Sequence, residues 1–171
     1  MTVTTRLPAF AAAILGLSLY TVALAQAPDD AARGETVTWA ASAQPDGKFE
    51  PGGHLTLMLR GKVLEGWHVY ALKQLAEGPT PLRVTVDAND VATADGSPAG
   101  SPATKIHDPA FNLDTQFYSK DFTLTVPVRL GSHPITGQQA IPVSVRFQTC
   151  NGRVCQPPKT VHLSAPVPAG G

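Results

Sequence analysis

Ile141-Pro142-Val143-Ser144-Val145-Arg146-Phe147 leads directly into Gln148-Thr149-Cys150-Asn151-Gly152-Arg153-Val154-Cys155-Gln156-Pro157-Pro158. The first half alternates apolar and polar with period two, as a half-buried strand does. Asn151-Gly152 tolerates the positive φ angles of tight hairpin turns. Pro157 and Pro158 cannot donate to a ladder and end regular pairing. The stretch reads as a strand, a four-residue turn and a return strand, with a cysteine at each foot of the turn. Residues flanking a short hairpin loop have Cα atoms roughly 4.5–5.5 Å apart, inside the range of about 4.4–6.8 Å that a disulfide needs. Cys150 and Cys155, the only cysteines in the chain, can therefore pass between dithiol and disulfide with little backbone movement. If Val143, Val145 and Phe147 face a core, parity turns Cys150 the other way unless a bulge intervenes. The sulfurs then lie towards the surface or under a covering loop.

Three uses of the pair are open at this point. A structural staple is the plainest. Closing a loop of about six residues stabilises by only about 2 kcal/mol, against about 4.7 kcal/mol for a loop of about a hundred. A bridge chosen for stability would tie distant strands. A redox role needs no more than the spacing already described. A copper or zinc site is the third use. Cys-x4-Cys has zinc-ligand spacing, but no His-x3–5-His follows, only His162.

The chain has 171 residues, 43% of them hydrophobic, which fits one domain with its own core. Sixteen prolines and 15 glycines favour short strands and turns over long helices. Formal net charge is zero, so no broad basic surface attracts nucleic acid or anionic lipid. Residues 1–25 read as a secretory signal. Arg6 supplies the positive start, residues 11–24 are almost wholly apolar, and Ala23-Leu24-Ala25 has the small-x-small form of a cleavage site before Gln26. The apolar run is short for a membrane span of about 20 residues, and Pro8 opens it. Cleavage removes one cation and leaves 12 Lys+Arg against 13 Asp+Glu, a net of −1. No later stretch is long enough to span a membrane. Export to an oxidising space permits disulfide chemistry.

Residues 26–35 read as a flexible leader, 36–164 as the domain and 165–171 as a disordered tail. Alternation predicts strands over 36–40, 54–60, 66–71, 82–86, 122–128, 141–147 and 160–163. Pro127 points to an edge or a bulge. Residues 88–103, rich in Ala, Asp, Gly, Ser and Pro, are assigned no core. Residues 104–121 are irregular, with Phe111, Phe117 and Tyr118 set among polar residues. Exposed aromatics there would be costly unless they cover something. Seven to nine short strands without a helical period predict an all-β fold, an immunoglobulin-like antiparallel β-sandwich.

The five histidines, His54, His68, His107, His133 and His162, show no metal spacing. There is no Gly-x-Ser-x-Gly, no phosphate-binding glycine loop and no Cys-x-x-Cys opening a helix. Arg153 can lower the pKa of either thiol through its charge, or be a solvated turn residue.

Aromatic-Gln-x-Cys, a short turn and Cys-x-Pro-Pro, here residues 147–158, resemble the active-site hairpin of the N-terminal periplasmic domain of the thiol:disulfide interchange protein DsbD, the disulfide bond corrector family. Gly66-Trp67-His68-Val69-Tyr70 resembles the family's aromatic strand beside the cysteines. Gly78-Pro79-Thr80-Pro81 is similar to its Gly-Pro-x-Pro turn, and Phe117-Tyr118-Ser119-Lys120 to its cap loop. The likeness runs over about residues 37–163. It implies an immunoglobulin-like fold, Cys155 as the attacking sulfur and Cys150 as the resolving one. It implies Phe117 as the cap, with Tyr118, Tyr70 and His68 around the site. Enterobacterial members carry two acidic residues before the cap Phe-Tyr. Here those positions are Thr115 and Gln116, and Asp114 one residue further back is the candidate acid. The implied activity is thiol–disulfide exchange in the periplasm without a bound cofactor or metal. The implied partners are thioredoxin-like proteins or domains, with disulfide isomerases or cytochrome-maturation proteins as clients. Full DsbD adds a membrane-embedded domain and a thioredoxin-like domain. This sequence shows neither, so the expectation is a stand-alone domain whose electrons come from a separate protein. A secreted immunoglobulin-like binding module with a purely structural disulfide is the alternative.

Overall fold

The computed structural model describes residues 1–2, 35–47, 50–75, 77–133 and 137–167. The expected signal segment and leader fall almost entirely outside the described residues. Twelve strands follow in order: β1 (Val37–Pro45), β2 (His54–Val63), β3 (His68–Tyr70), β4 (Arg83–Val86), β5 (Ala92–Ala94), β6 (Ala99–Gly100), β7 (Thr104–Asp108), β8 (Leu113–Tyr118), β9 (Phe122–Leu130), β10 (Gln139–Phe147), β11 (Thr149–Cys150) and β12 (Lys159–Val167). They form three antiparallel sheets, in the orders β1-β2-β9-β5 with β6 also on β9, β12-β10-β4, and β11-β3-β8-β7. This is the antiparallel sandwich of immunoglobulin type that the alternation predicts.

Period-two patterning decides which side chains meet. Leu55, Leu57 and Leu59 of β2 stand opposite Val128, Val126 and Leu124 of β9. Ile141, Val143, Val145 and Phe147 of β10 complete the same buried cluster. Each such side chain contributes about 1.5–3 kcal/mol by leaving water. Trp67 packs at the margin of this cluster, as ordinary core packing requires.

Four expectations change. Residues 88–103 are not coreless: β5 and β6 pair with β9, and Ala92 is buried. Alanine and glycine carry too little side chain to show alternation, so backbone pairing is the whole signal there. Pro127 is not on an edge strand, because β9 has neighbours on both sides. Its neighbour is interrupted between β5 and β6. Across that gap Asp95 N–H donates to the Pro127 carbonyl at 2.9 Å, and the missing proline N–H is not needed. Residues 104–121 contain a regular hairpin, β7 paired with β8; four of the five β7 residues are exposed, so no apolar stripe reveals it. Finally β12 runs to Val167, past the expected start of the tail, with Ala165 and Val167 buried. It is an edge strand of its sheet, where Pro166 is tolerated. Residues 168–171 lie outside the described residues.

Gly61 is the tightest point of the core. It stands between Trp39 on β1 and Phe122 on β9 in the ladder. Without a side chain at 61, the two rings meet edge to face over it, centroids 5.4 Å apart. A Cβ there would lie 2.6 Å from Phe122 Cε1 and Cζ. The ring cannot retreat, because Tyr118 stacks on Phe122 at 4.2 Å. Overpacking of this kind costs about 1–3 kcal/mol. Gly61→Ala should lower unfolding free energy by about that amount, read as a lower urea midpoint with an unchanged slope; an unchanged midpoint would show that the rings can part.

Candidate functional site

The site begins where β10 ends. Gln148 leaves the β10 ladder and carries the chain into a different sheet, where β11 pairs with β3. Two bonds hold this crossing. Tyr70 N–H donates to the Gln148 carbonyl at 3.2 Å, and Thr80 N–H donates to Gln148 Oε1 at 2.8 Å. The Gly78-Pro79-Thr80-Pro81 turn is thereby docked against the glutamine of the cysteine motif.

Past the crossing, Thr149 lies opposite Val69 and Cys150 opposite His68. Thr149 is on the core face, where its hydroxyl meets that of Thr36 at 2.9 Å. Cys150 is on the other face, as parity predicts, yet it is only 2% exposed. The sulfur is therefore covered from the side away from the core. Cys155 is half-buried. The two cysteines form a disulfide across an isolated bridge, with Cα atoms 4.1 Å apart. Hydrogen bonds run from Gln156 N to Thr149 O and from Asn151 N to Val154 O. The cysteine pair between them is a non-hydrogen-bonded one, the class in which Cα atoms come closest. In the turn, Gly152 alone has positive φ, at 80°. Asn151 instead uses Oδ1 to accept Arg153 N–H and Val154 N–H at 3.0 and 2.8 Å.

Tyr70 of β3 reaches the Cys150 sulfur at 3.1 Å, and the hairpin of β7 and β8 extends the same face. Register sets Phe117 opposite Tyr70, so His68, Tyr70, Cys150 and Phe117 share one face of this sheet. Phe117 packs on the His68 ring at 4.6 Å, and Tyr70 meets the same ring edge-on at 5.1 Å. Phe111 flanks Tyr70 from beyond, at 5.8 Å. The backbone before Phe117 is clamped. Gln74 bonds both the N–H and the carbonyl of Gln116 through its side-chain amide, and Ala71 N–H donates to the same carbonyl at 2.8 Å.

Tyr70 Oη is 2.7 Å from Asp108 Oδ2 and 3.1 Å from Cys150 Sγ. Asp108 is 7% exposed. Its Oδ1 accepts Ala110 N–H at 2.9 Å, which anchors the carboxylate to the hairpin turn. Burial, followed by the bond to Asp108 and its charge, pushes the Tyr70 phenol well above its ordinary value. Tyr70 therefore stays protonated and is a donor. One hydroxyl hydrogen cannot serve two acceptors. The carboxylate takes it while sulfur is in a disulfide; a thiolate at Cys150 would compete for it, since hydrogen bonds to charged acceptors are the strong ones. Desolvation holds the His68 imidazole below its ordinary value, against the charge of Asp108, which raises it.

Two sequence expectations move, those for Tyr118 and Asp114. Tyr118 is not at the sulfurs. It lies on the opposite face of β8 from Phe117, in the core, stacked on Phe122. Asp114 is on that opposite face too, exposed, and ion-paired with Lys105 at 3.1 Å and His107 at 3.6 Å; Lys105 and then His107 hold its carboxyl below the ordinary value. Arg153 is exposed at the turn tip, where the fold uses its backbone N–H. The carboxylate linked to the cysteine face, through Tyr70, is Asp108, which is not among the residues singled out from the sequence. Its signal was Asp108-Pro109, a turn-opening pair in a segment taken as irregular.

Residues 37–165 match the family described as "Thiol:disulfide interchange protein DsbD, N-terminal". No curated protein matches. Among solved structures, the crystal structure of BcpA, the major pilin subunit of Bacillus cereus, is similar over 75% of this chain and 40% of its own, at 11% identity and a TM-score of 0.36. The chain spans less than half of that protein's length. The family match spans most of the chain and includes the whole cysteine hairpin, and this chain therefore belongs to the family of the N-terminal domain of the thiol:disulfide interchange protein DsbD.

Proposed function

We propose that this domain passes electrons through Cys150 and Cys155, between a thioredoxin-like reductant and oxidised proteins of the cell envelope. The observation that carries the reading is the asymmetry of the pair. Cys155 is half-buried and can be reached, while Cys150 is covered and has a protonated Tyr70 3.1 Å from its sulfur. A partner thiolate attacks Cys155 Sγ, and a partner–Cys155 disulfide forms as the Cys150–Cys155 bond breaks. The electron pair of the broken bond goes to Cys150 Sγ. The Tyr70 hydroxyl turns from Asp108 to this new thiolate and stabilises it as leaving group. The partner's second thiolate then attacks its own sulfur in the mixed disulfide and frees Cys155. The partner dithiol is now a disulfide, and this domain holds the dithiol. Run backwards on an oxidised client, the same steps deliver two electrons, with Cys155 attacking and Cys150 releasing the client. Disulfide isomerases and cytochrome-maturation proteins are clients of suitable chemistry. The signal-like segment at residues 1–25 supports a periplasmic site of action, and no helix among the described residues is long and apolar enough to cross a membrane.

Cys150→Ala leaves Cys155 without its resolving partner, and this variant should accumulate covalent adducts in the cell envelope, seen as bands that collapse on reduction. Cys155→Ala should accumulate far fewer. Equal behaviour of the two variants would favour a disulfide that merely braces the hairpin. Tyr70→Phe removes one hydrogen bond to a charged sulfur, a contact of about 1.5–3 kcal/mol. Reduction by thioredoxin should then slow by about tenfold or more, measured as free thiols against time; an unchanged rate would remove Tyr70 from the exchange.

A further inference from the structure

His68 has no part in the exchange as just described, and its surroundings suit one. It is the ladder partner of Cys150. Its ring lies under Phe117 and beside Tyr70. Its Nε2 is buried and has no hydrogen-bond partner among the described residues. Leaving a buried polar nitrogen unpaired is destabilising, and an apolar or aromatic residue would fill the place without that cost. Among the described residues, its own strand supplies Tyr70, β11 supplies Cys150 as its ladder partner, β7 supplies the charge of Asp108, and β8 supplies the uncharged Phe117.

We propose that His68 is the proton carrier of the exchange, kept neutral beneath Phe117 and brought into action when a partner displaces that ring. This deepens the electron-passing reading and rests on it. A neutral imidazole is the form that accepts a proton. In the closed state desolvation outweighs the attraction of Asp108. Lifting Phe117 lets water reach the ring, and the carboxylate then acts with less opposition. The ring becomes a better base as the partner thiol arrives. That thiol gives its proton to His68, and the thiolate's electron pair forms the bond to Cys155 Sγ. The Cys150–Cys155 bond breaks, its electron pair goes to Cys150 Sγ, and the imidazolium returns the proton there. One S–H bond is lost on the partner and one is gained on Cys150. The partner dithiol is the sole reductant.

The test follows the rate at which reduced thioredoxin reduces the disulfide across about pH 5 to 8, the range in which a histidine titrates, alongside an NMR titration of the His68 ring. For the wild-type protein the rate should be nearly flat through neutral pH and fall on the acid side, where His68 becomes charged. His68→Gln should be slower by about a hundredfold near neutral pH. Its rate should keep rising with pH, since only thiol that has already ionised can attack. A purely structural role would scale the whole profile and leave its shape. Parallel profiles for the two proteins would overturn the proposal. If His68→Gln does not fold, Phe117→Ala carries the test: the ring titration and the acid limb of the rate should move up in pH together, and immobility of both would equally overturn it. A wild-type disulfide that takes no electrons at any pH would instead remove the electron-passing reading, and the role of His68 with it.

Discussion

Two hydrogen bonds on one glutamine hold the chain where it changes sheets. The Gln148 carbonyl receives Tyr70 N–H, and its side chain receives Thr80 N–H. Before this point the strand packs its apolar side into the sandwich core. After it, the chain belongs to a small sheet with two working faces. One face, with Thr149, Val69 and Tyr118, closes the core. The other gathers Cys150, His68, Tyr70 and Phe117. The side-chain period of a strand is two, so a slip of one residue at the crossing would send Cys150 into the core and Thr149 into the site. The buried threonine pair at Thr36 and Thr149 adds a polar constraint on the same register. A hydroxyl with its partner lost would be left unpaired in the interior, at a cost of about 1–3 kcal/mol.

Much of this was legible in the amino-acid order. The leucines of β2, the apolar positions of β9 and the Val-x-Val-x-Phe of β10 alternate plainly. The two cysteines flank a turn whose glycine takes the positive φ that the Asn-Gly pair suggests. Parity also placed Cys150 on the face away from the core. What could not be read was anything that depends on how two weakly patterned segments pair. Asp114 and Asp108 look alike as candidates in one dimension. The register of β7 on β8 sets Asp108 opposite Leu113 and Asp114 opposite His107, which sends the two carboxylates to opposite faces. The resemblance of Phe117-Tyr118-Ser119-Lys120 to a cap loop implies both aromatics at the site, yet adjacency along a strand means opposite faces. The short strands β5 and β6 consist of alanine, threonine and glycine, whose side chains leave no apolar stripe to read.

The polar groups at the sulfur illustrate how a buried site tolerates charge. Asp108 is accommodated because both oxygens are engaged, one by the hairpin backbone and one by Tyr70. The tyrosine is flanked by His68 and Phe111, both edge to face, so its ring has little room to turn and its hydroxyl is aimed by packing. Its two acceptors are 2.7 and 3.1 Å away, so moving the hydrogen between them requires rotation about one C–O bond and no shift of heavy atoms. Such an arrangement responds to the redox state of the sulfur at almost no conformational cost.

The backbone beneath Phe117 has its own consequence. Gln116 is gripped through both its amide and its carbonyl by Gln74, and through its carbonyl by Ala71. A side chain mounted on so fixed a base can move as a rotor and not as a flap. On the proposal that Phe117 is the cap, a visitor would turn one benzyl group about its χ angles, a motion of picoseconds to nanoseconds when a side chain is free, and peel no strand away. The doorway would then have a threshold set by one ring's contacts with a histidine, low enough for a docking surface to cross and high enough to turn away a small thiol that brings no such surface.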